Sequence, residues 1–171
     1  MRDSSKVGFQ EAIEAARQSD VVVMVMGGSS ARDFSSKYEE TGAAKVSDSH
    51  ISDMESGEGY DRSTLELLGR QRELIREMGK LNKPIVLVLI KGRPLLLEGL
   101  EAEVDAIVDA WYPGMQGGNA IADVLFGDYN PAGRLTISVP RSVGQLPVYY
   151  NTKRKGNRSY CFLSVFYYNM I

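Results

Sequence analysis

The chain has 171 residues, of which 43% are hydrophobic and 25% charged, as is typical of one globular domain. Its formal net charge of -2 argues against a general nucleic-acid-binding protein, which would carry a basic excess. No apolar run reaches the ~20 residues that a membrane-spanning helix needs, and no apolar signal segment follows Met1. With one histidine and one cysteine, neither a zinc site nor an intrachain disulfide is expected.

The first elements in chain order are a helix and a strand. Apolar residues recur with helical spacing from Phe9 to Ala16. The continuous apolar run 21–26 ends at Gly27-Gly28 and predicts a strand that is buried on both faces. Residues 29–62 then form a long polar segment without a sustained period, and such a segment within a compact domain is usually functional or disordered.

The rest of the chain repeats this alternation. A second helical pattern at 67–81 precedes an apolar strand at 85–90, and a third strand is predicted at 106–111. The apolar segment 95–100 is ambiguous. A third helix follows Gly117-Gly118, and 135–139 predicts a last, edge strand.

This alternation predicts an α/β fold with an open, mainly parallel sheet and helices on both faces. Ligands of such sheets bind at loops beyond the carboxyl ends of the strands. Segment 29–62 leaves one of these ends, so we expect it to carry functional residues.

Several ordered blocks between residues 7 and 155 carry a family resemblance. They are 56–62 (SGEGYDR), 65–67 (LEL), 83–84 (KP), 92–94 (GRP), 110–114 (AWYPG), 117–128 (GGNAIADVLFGD), 130–135 (NPAGRL) and 142–150 (SVGQLPVYY). In this order they resemble the C-terminal α/β domain of glycoside hydrolase family 3, the β-glucosidase and β-xylosidase group. The resemblance implies that domain's three-layer α/β/α sandwich.

The resemblance also implies domain limits. The family domain is expected at 1–155 and incomplete at its N-terminus, because the family's first strand and glycine-rich loop would precede residue 1. Residues 156–171 form an atypical tail that lacks the family's usual Phe-Gly-Tyr-Gly-Leu-Ser ending. We therefore expect truncation at both ends, or a shifted reading frame after the domain.

Family membership would make the chain part of a retaining, exo-acting β-glucosidase-type enzyme that hydrolyses terminal β-D-glycosides. Such enzymes use two carboxylates about 5–5.5 Å apart, one as nucleophile and one as general acid and then base. The resemblance places the nucleophilic aspartate on a separate (β/α)8 barrel, so the chain alone is expected to be inactive.

The resemblance also indicates the partners. It implies a β-linked oligosaccharide or glycoside substrate and a barrel-domain partner. No cofactor, metal, nucleic acid or membrane is expected as a partner. A homodimer is expected where the missing barrel leaves apolar surface uncovered, and the parent enzyme is expected to be periplasmic or secreted.

The resemblance assigns the general acid/base to Glu58, whose neighbours Gly57 and Gly59 would let the backbone approach a sugar closely. Glu55 is the rival proton donor, and a solvated loop acid is the structural alternative for Glu58. Asp61 and Arg62 are expected to form a local ion pair that shapes the loop. Arg93, in Gly-Arg-Pro, is expected to hold loops together.

Two glycine-rich turns allow another interpretation. Gly27-Gly28 after a strand and Gly114 to Gly118 before a helix suggest phosphate binding, but neither has the GxGxxG or GxxxxGK[ST] spacing. Tight turns are therefore favoured, and packing under the loops is favoured over sugar stacking for Trp111. The alternative functions are a non-enzymatic α/β module that binds a sugar or a partner and, more distantly, a nucleotide-binding domain.

Overall fold

The computed structural model describes residues 6–30, 39–42, 54–57 and 60–149. Within these ranges the helices are α1 (Phe9–Arg17), α2 (Gln71–Gly79) and α3 (Gly117–Leu125), with a short 3-10 turn at Val143–Gln145. The strands are β1 (Val22–Gly27), β2 (Ile85–Ile90) and β3 (Ala106–Asp109). The expected domain limit at residue 155 and the tail 156–171 lie outside the described residues.

The three strands form one parallel sheet in the order β1-β2-β3. Val22 of β1 pairs with Ile85 of β2, and Val86 of β2 pairs with Ala106 of β3. The central strand β2 is wholly apolar, and all but its last residue are buried. The parallel sheet with its helices confirms the predicted α/β fold.

The core lies on one face of this sheet, against α1 and α2. Ala16 of α1, Ile75 of α2, Met24 of β1 and Leu87 of β2 belong to the same buried cluster. The ambiguous segment 95–100 forms neither helix nor strand, yet it adds three fully buried leucines to that cluster: Leu95, Leu97 and Leu100. Since burying a leucine side chain stabilises a protein by about 1.5–3 kcal/mol, this connection is part of the core.

The two faces of β1 differ, which corrects the expectation of a strand buried on both faces. Met24 is buried in the core, whereas Val21, Val23 and Val25 are 51%, 48% and 63% exposed. The reason is that successive side chains of a strand point to opposite faces, and the face of β1 that carries Val23 and Val25 is open to solvent. The expected uncovered apolar surface is therefore present on β1, while the homodimer stays a prediction.

The predicted edge strand at 135–139 is wrong, because these residues form no strand. Leu135 and Val139 nevertheless pack against the core, so their alternation reflects burial without strand pairing. The third strand ends at Asp109 rather than residue 111, because Trp111 has a φ of 51°, outside the β region. In the described part of the chain, no helix is long and apolar enough to span a bilayer.

Candidate functional site

Segment 54–57 lies against the carboxyl end of the sheet. Ser29, two residues beyond β1, forms a parallel bridge with Met54, and the Glu55 N–H donates to the Ser29 carbonyl at 2.7 Å. Met54, Glu55 and Ser56 are all buried, whereas Gly57 is exposed. The polar segment that leaves β1 therefore returns to the sheet at the edge where α/β proteins bind ligands.

Glu55 fastens this segment to the scaffold. Its side chain is fully buried, and its Oε1 lies 3.1 Å from Arg62 Nη1. Oε2 accepts a hydrogen bond from the Gly92 N–H at 3.2 Å, and the Glu55 carbonyl accepts one from Arg93 Nε at 3.0 Å. Both carboxylate oxygens are thus engaged, so this residue joins the segment to the end of β2.

Two arginines complete the network around Glu55. Arg62 also donates to the Glu66 carbonyl at 2.6 Å, and Arg93 donates to the Tyr60 carbonyl. The role predicted for Arg93, holding loops together, is confirmed. The ion pair expected between Asp61 and Arg62 is wrong, because the Arg62 guanidinium turns inward to Glu55 while Asp61 is exposed. A buried carboxylate binds the guanidinium without competition from water.

The glycine pair at the end of β1 allows close packing. Gly27 has a φ of 132°, and its N–H and carbonyl are both bound by the Gln71 side-chain amide at 2.7 Å. The Gly28 N–H donates to the Ile90 carbonyl at 2.9 Å, and a Cβ on Gly28 would overlap the Glu55 side chain. Neither amide is free to bind a phosphate, so the favoured interpretation as a tight turn is confirmed here.

A second buried ion pair lies at the ends of β2 and β3. Lys91 Nζ is 2.8 Å from Asp109 Oδ2, with both side chains almost fully buried. The pair has the distance of a salt bridge but not the alignment of a hydrogen bond, and neither group has a hydrogen-bond partner among the residues that the structure describes. Lys91 Nζ also lies 3.8 Å from the centre of the Trp111 ring. One ring face is covered in this way, which favours the packing role of Trp111.

Sequence reasoning missed this pair and the contact between Ser56 and Tyr112. The hydroxyls of Ser56 and Tyr112 lie 2.9 Å apart. A signal for the ion pair existed, since Lys91 directly follows six apolar residues and Asp109 interrupts an apolar strand. No comparable signal marks Ser56 or Tyr112, because residue 56 reaches β3 only through the fold.

The structure brings Glu55, Gly57 and Arg62 to the carboxyl end of the sheet. Glu58 and Gly59 lie outside the described residues. Glu58 directly follows Gly57, whose φ of 141° favours glycine. Among the residues that the structure describes, no group of three or more His, Cys, Asp or Glu is placed to hold a metal ion. The role of Glu58 therefore stays a prediction.

Fold and site together define an α/β domain in which segment 54–57 is hydrogen-bonded across the carboxyl ends of the parallel strands. The profile of the Glycosyl hydrolase family 3 C-terminal domain matches residues 3–168. The chain therefore belongs to glycosyl hydrolase family 3, as the resemblance of its motifs implied.

Curated relatives of the chain are named as β-xylosidases and β-glucosidases. A β-xylosidase of Formosa agariphila is 44% identical over 146 residues, covering 85% of this chain. A periplasmic β-glucosidase of Salmonella typhimurium is 44% identical over 153 residues, covering 90% of this chain. The chain spans only 17% of the length of each of these relatives.

Solved structures agree with this relationship. The β-glucosidase of Listeria innocua, solved with isofagomine, superimposes with a TM-score of 0.71 at 32% identity. The match covers 90% of this chain and 18% of that one. A β-glucosidase of Erythrobacter marinus gives a TM-score of 0.64 at 44% identity, covering 83% of this chain and 17% of that one.

Proposed function

We propose that this chain is part of a retaining, exo-acting β-glucosidase-type enzyme and supplies Glu58 as the general acid/base. The observation that carries the proposal is the anchored segment 54–57. Its buried Glu55 is tied to β2 and to Arg62, and the chain leaves it at an exposed Gly57, directly before Glu58. A general acid must be held within hydrogen-bond reach of the leaving oxygen, and a rigid support does this best.

In this proposal Glu58 first protonates the glycosidic oxygen while a nucleophilic carboxylate attacks the anomeric carbon. The leaving alcohol departs, and a covalent glycosyl-enzyme remains. Glu58, now ionised, then removes a proton from the water that hydrolyses this intermediate. The nucleophile belongs to the barrel domain that the parent enzyme would contribute, so neither step proceeds on this chain alone.

Glu55 is poorly suited to the donor role. It is fully buried, and its two oxygens already face Arg62 and the Gly92 N–H. A proton donor has to touch the substrate, whereas this carboxylate has no exposed surface. We therefore assign Glu55 to support of the loop and keep Glu58 as the donor.

The substrate class follows from the relatives' names. Relatives of 44% identity are named β-xylosidase and β-glucosidase, and a Listeria innocua β-glucosidase that resembles this chain was solved with glucose. We propose terminal β-D-glycosides of glucose or xylose as substrates, with the barrel domain setting the choice between them.

A chimera tests the proposal. The chain would replace the matching segment of the Salmonella typhimurium periplasmic β-glucosidase, to which it is 44% identical. In an active chimera, Glu58→Gln should lower kcat/KM by about 10²- to 10⁴-fold on an alkyl glucoside. The loss should be much smaller on a 2,4-dinitrophenyl glucoside, because a good leaving group needs little protonation.

Matched controls come from the exposed carboxylates Glu39 and Glu40, on the same connection between β1 and α2. Glu39→Gln and Glu40→Gln should change neither rate by more than about 2-fold. If either variant shows the leaving-group pattern and Glu58→Gln does not, the assignment of Glu58 is wrong.

The isolated chain separates the enzyme from the alternative binding module. On its own it should hydrolyse aryl β-glucosides and β-xylosides at the background rate, because general acid assistance falls short of enzymatic acceleration of about 10⁶-fold or more. Turnover by the isolated chain at ordinary enzymatic rates would contradict the missing-nucleophile argument. An inactive chimera together with tight glucoside binding by the isolated chain would favour the binding module.

A further inference from the structure

The contact between Ser56 and Tyr112 is the last side-chain anchor that the structure describes before the proposed acid/base. Ser56 Oγ and the Tyr112 hydroxyl are 2.9 Å apart, and either can donate the hydrogen bond. Ser56 is buried, whereas Gly57 is exposed. In the sequence, Glu58 follows the hydrogen-bonded Ser56 by two positions.

The room for this contact is provided by a glycine. A Cβ on Gly92, at the end of β2, would overlap both Ser56 Oγ and the ring of Tyr112. Glycine at this position lets the loop from β1 and the residues after β3 meet above the end of β2. The segments that follow the three strands thereby meet at one point.

The position of Tyr112 is set by the residue before it. Trp111 has a φ of 51°, a left-handed conformation that is rare and strained for a bulky residue. The Lys91 N–H donates to the Trp111 carbonyl at 3.2 Å, and the Lys91 ammonium covers the Trp111 ring. These contacts hold the turn after β3 that presents the Tyr112 hydroxyl to Ser56.

We infer that Tyr112 is a positioning residue, which fixes the direction in which the loop leaves Ser56 toward Glu58. The inference rests on the proposed function of Glu58. Tyr112 needs no contact with the reacting atoms, because a displaced general acid already costs rate, by up to about 10²-fold for a shift of 1 Å. The Tyr112 hydroxyl thus acts on the first chemical step through Ser56 and the loop.

The first test uses the isolated chain and hydrogen exchange read by mass spectrometry. Tyr112→Phe removes the hydroxyl and keeps the ring, and Ser56→Ala removes the other partner. Each should speed exchange in peptides covering 54–57 by about 2- to 10-fold, the effect of one hydrogen bond, while the β2 amides stay protected. Tyr129→Phe, at an exposed tyrosine, is the matched control and should change nothing. Equal exchange at 54–57 in Tyr112→Phe and Tyr129→Phe would overturn the inference.

The second test uses the chimera and separates this inference from the proposed function. Tyr112→Phe should lower kcat/KM on an alkyl glucoside by about 3- to 10-fold and leave kcat/KM on the 2,4-dinitrophenyl glucoside unchanged, because kcat/KM reports the first chemical step, in which a good leaving group needs little protonation. A purely structural role would lower both rates equally. If Glu58→Gln shows the leaving-group pattern and Tyr112→Phe does not, only the positioning role fails. If neither variant shows it, the proposed function fails as well.

Discussion

Two buried ion pairs lie at the carboxyl end of the same sheet, and they differ in how they are hydrogen-bonded. Glu55 and Arg62 are surrounded by partners, since the Gly92 N–H donates to the carboxylate and the Glu66 carbonyl accepts from the guanidinium. Within the described residues, Lys91 and Asp109 contact each other and Lys91 contacts the Trp111 ring, without an aligned hydrogen bond. Two pairs of similar burial therefore have different local environments.

The difference shows which pair can anchor segment 54–57. A buried ion pair repays the cost of desolvation only with good geometry and additional hydrogen bonds. The Glu55 pair meets this condition and joins the loop to β2, so we expect its loss to lower the free energy of unfolding. The Lys91 pair does not meet it, so we expect an apolar replacement to be tolerated.

The largest expected effect comes from breaking the hydrogen-bonded pair on one side. Arg62→Met leaves the Glu55 carboxylate buried without its guanidinium, which should cost about 3–5 kcal/mol of unfolding free energy. Urea unfolding of the isolated chain measures this. The control Lys80→Met breaks an exposed pair with Glu77 and should cost at most about 1 kcal/mol. Equal losses in the two variants would show that the buried pair is no anchor.

Replacing both partners of each pair sharpens the comparison. Lys91→Met with Asp109→Val removes two poorly satisfied charges, so its stability should be unchanged or higher by about 1–4 kcal/mol. Glu55→Val with Arg62→Met removes the partners of the Gly92 N–H and the Glu66 carbonyl, so about 1–3 kcal/mol should be lost for each. The same urea titrations decide this. A reversed order of the two double variants would contradict the distinction between the pairs.

The close approach behind Glu55 gives a smaller effect. In Gly28→Ala the new methyl group would overlap the Glu55 side chain, so we expect a loss of about 1–3 kcal/mol. Gly118→Ala, in α3, is the matched control because nothing lies within 4 Å of its added Cβ. It should be neutral or stabilising by up to about 1 kcal/mol. Thermal unfolding of both variants measures the difference, and equal midpoints would rule out this tight packing.

The smallest effect is expected where Lys6 and Arg70 pair with the carboxylate of Glu73, in the first turn of α2. Lys6 and then Arg70 hold the pKa of Glu73 below its ordinary value of 4.5. A lowered folded-state pKa stabilises the protein above 4.5, and this contribution disappears as the pH falls through the folded-state value. Glu73→Gln should therefore lower the thermal midpoint slightly at pH 7 and not in strong acid. The difference should also shrink in 1 M salt, and a difference that grows toward low pH would contradict this sign.

The sequence predicts the scaffold well because apolar patterns report burial. Phe9 to Ala16 and residues 85–90 appear as the predicted helix and strand. The same reasoning fails for 135–139, where Leu135 and Val139 are drawn to the core without a strand partner. Burial is encoded locally, whereas strand pairing depends on neighbours that are distant in the chain.

The site is predicted less completely for a related reason. The position of Arg93 between Gly92 and Pro94 is a local signal that predicts its role in holding loops together. The sequence suggests Asp61 as the partner of Arg62, because Glu55 becomes its partner only after the loop folds back over β2. The contact of Ser56 with Tyr112 spans 56 positions in the chain, so no local motif indicates it.

Azide rescue tests the central claim, the acid/base role of Glu58, most directly. Glu58→Ala in the active chimera, with a 2,4-dinitrophenyl glucoside, should accumulate glycosyl-enzyme because no base activates water. Sodium azide should restore turnover and yield the β-glucosyl azide, since a small anion needs no general base. Rescue with this product is the predicted result. No azide effect in Glu58→Ala, or the same rescue in Glu40→Ala instead, would contradict the account.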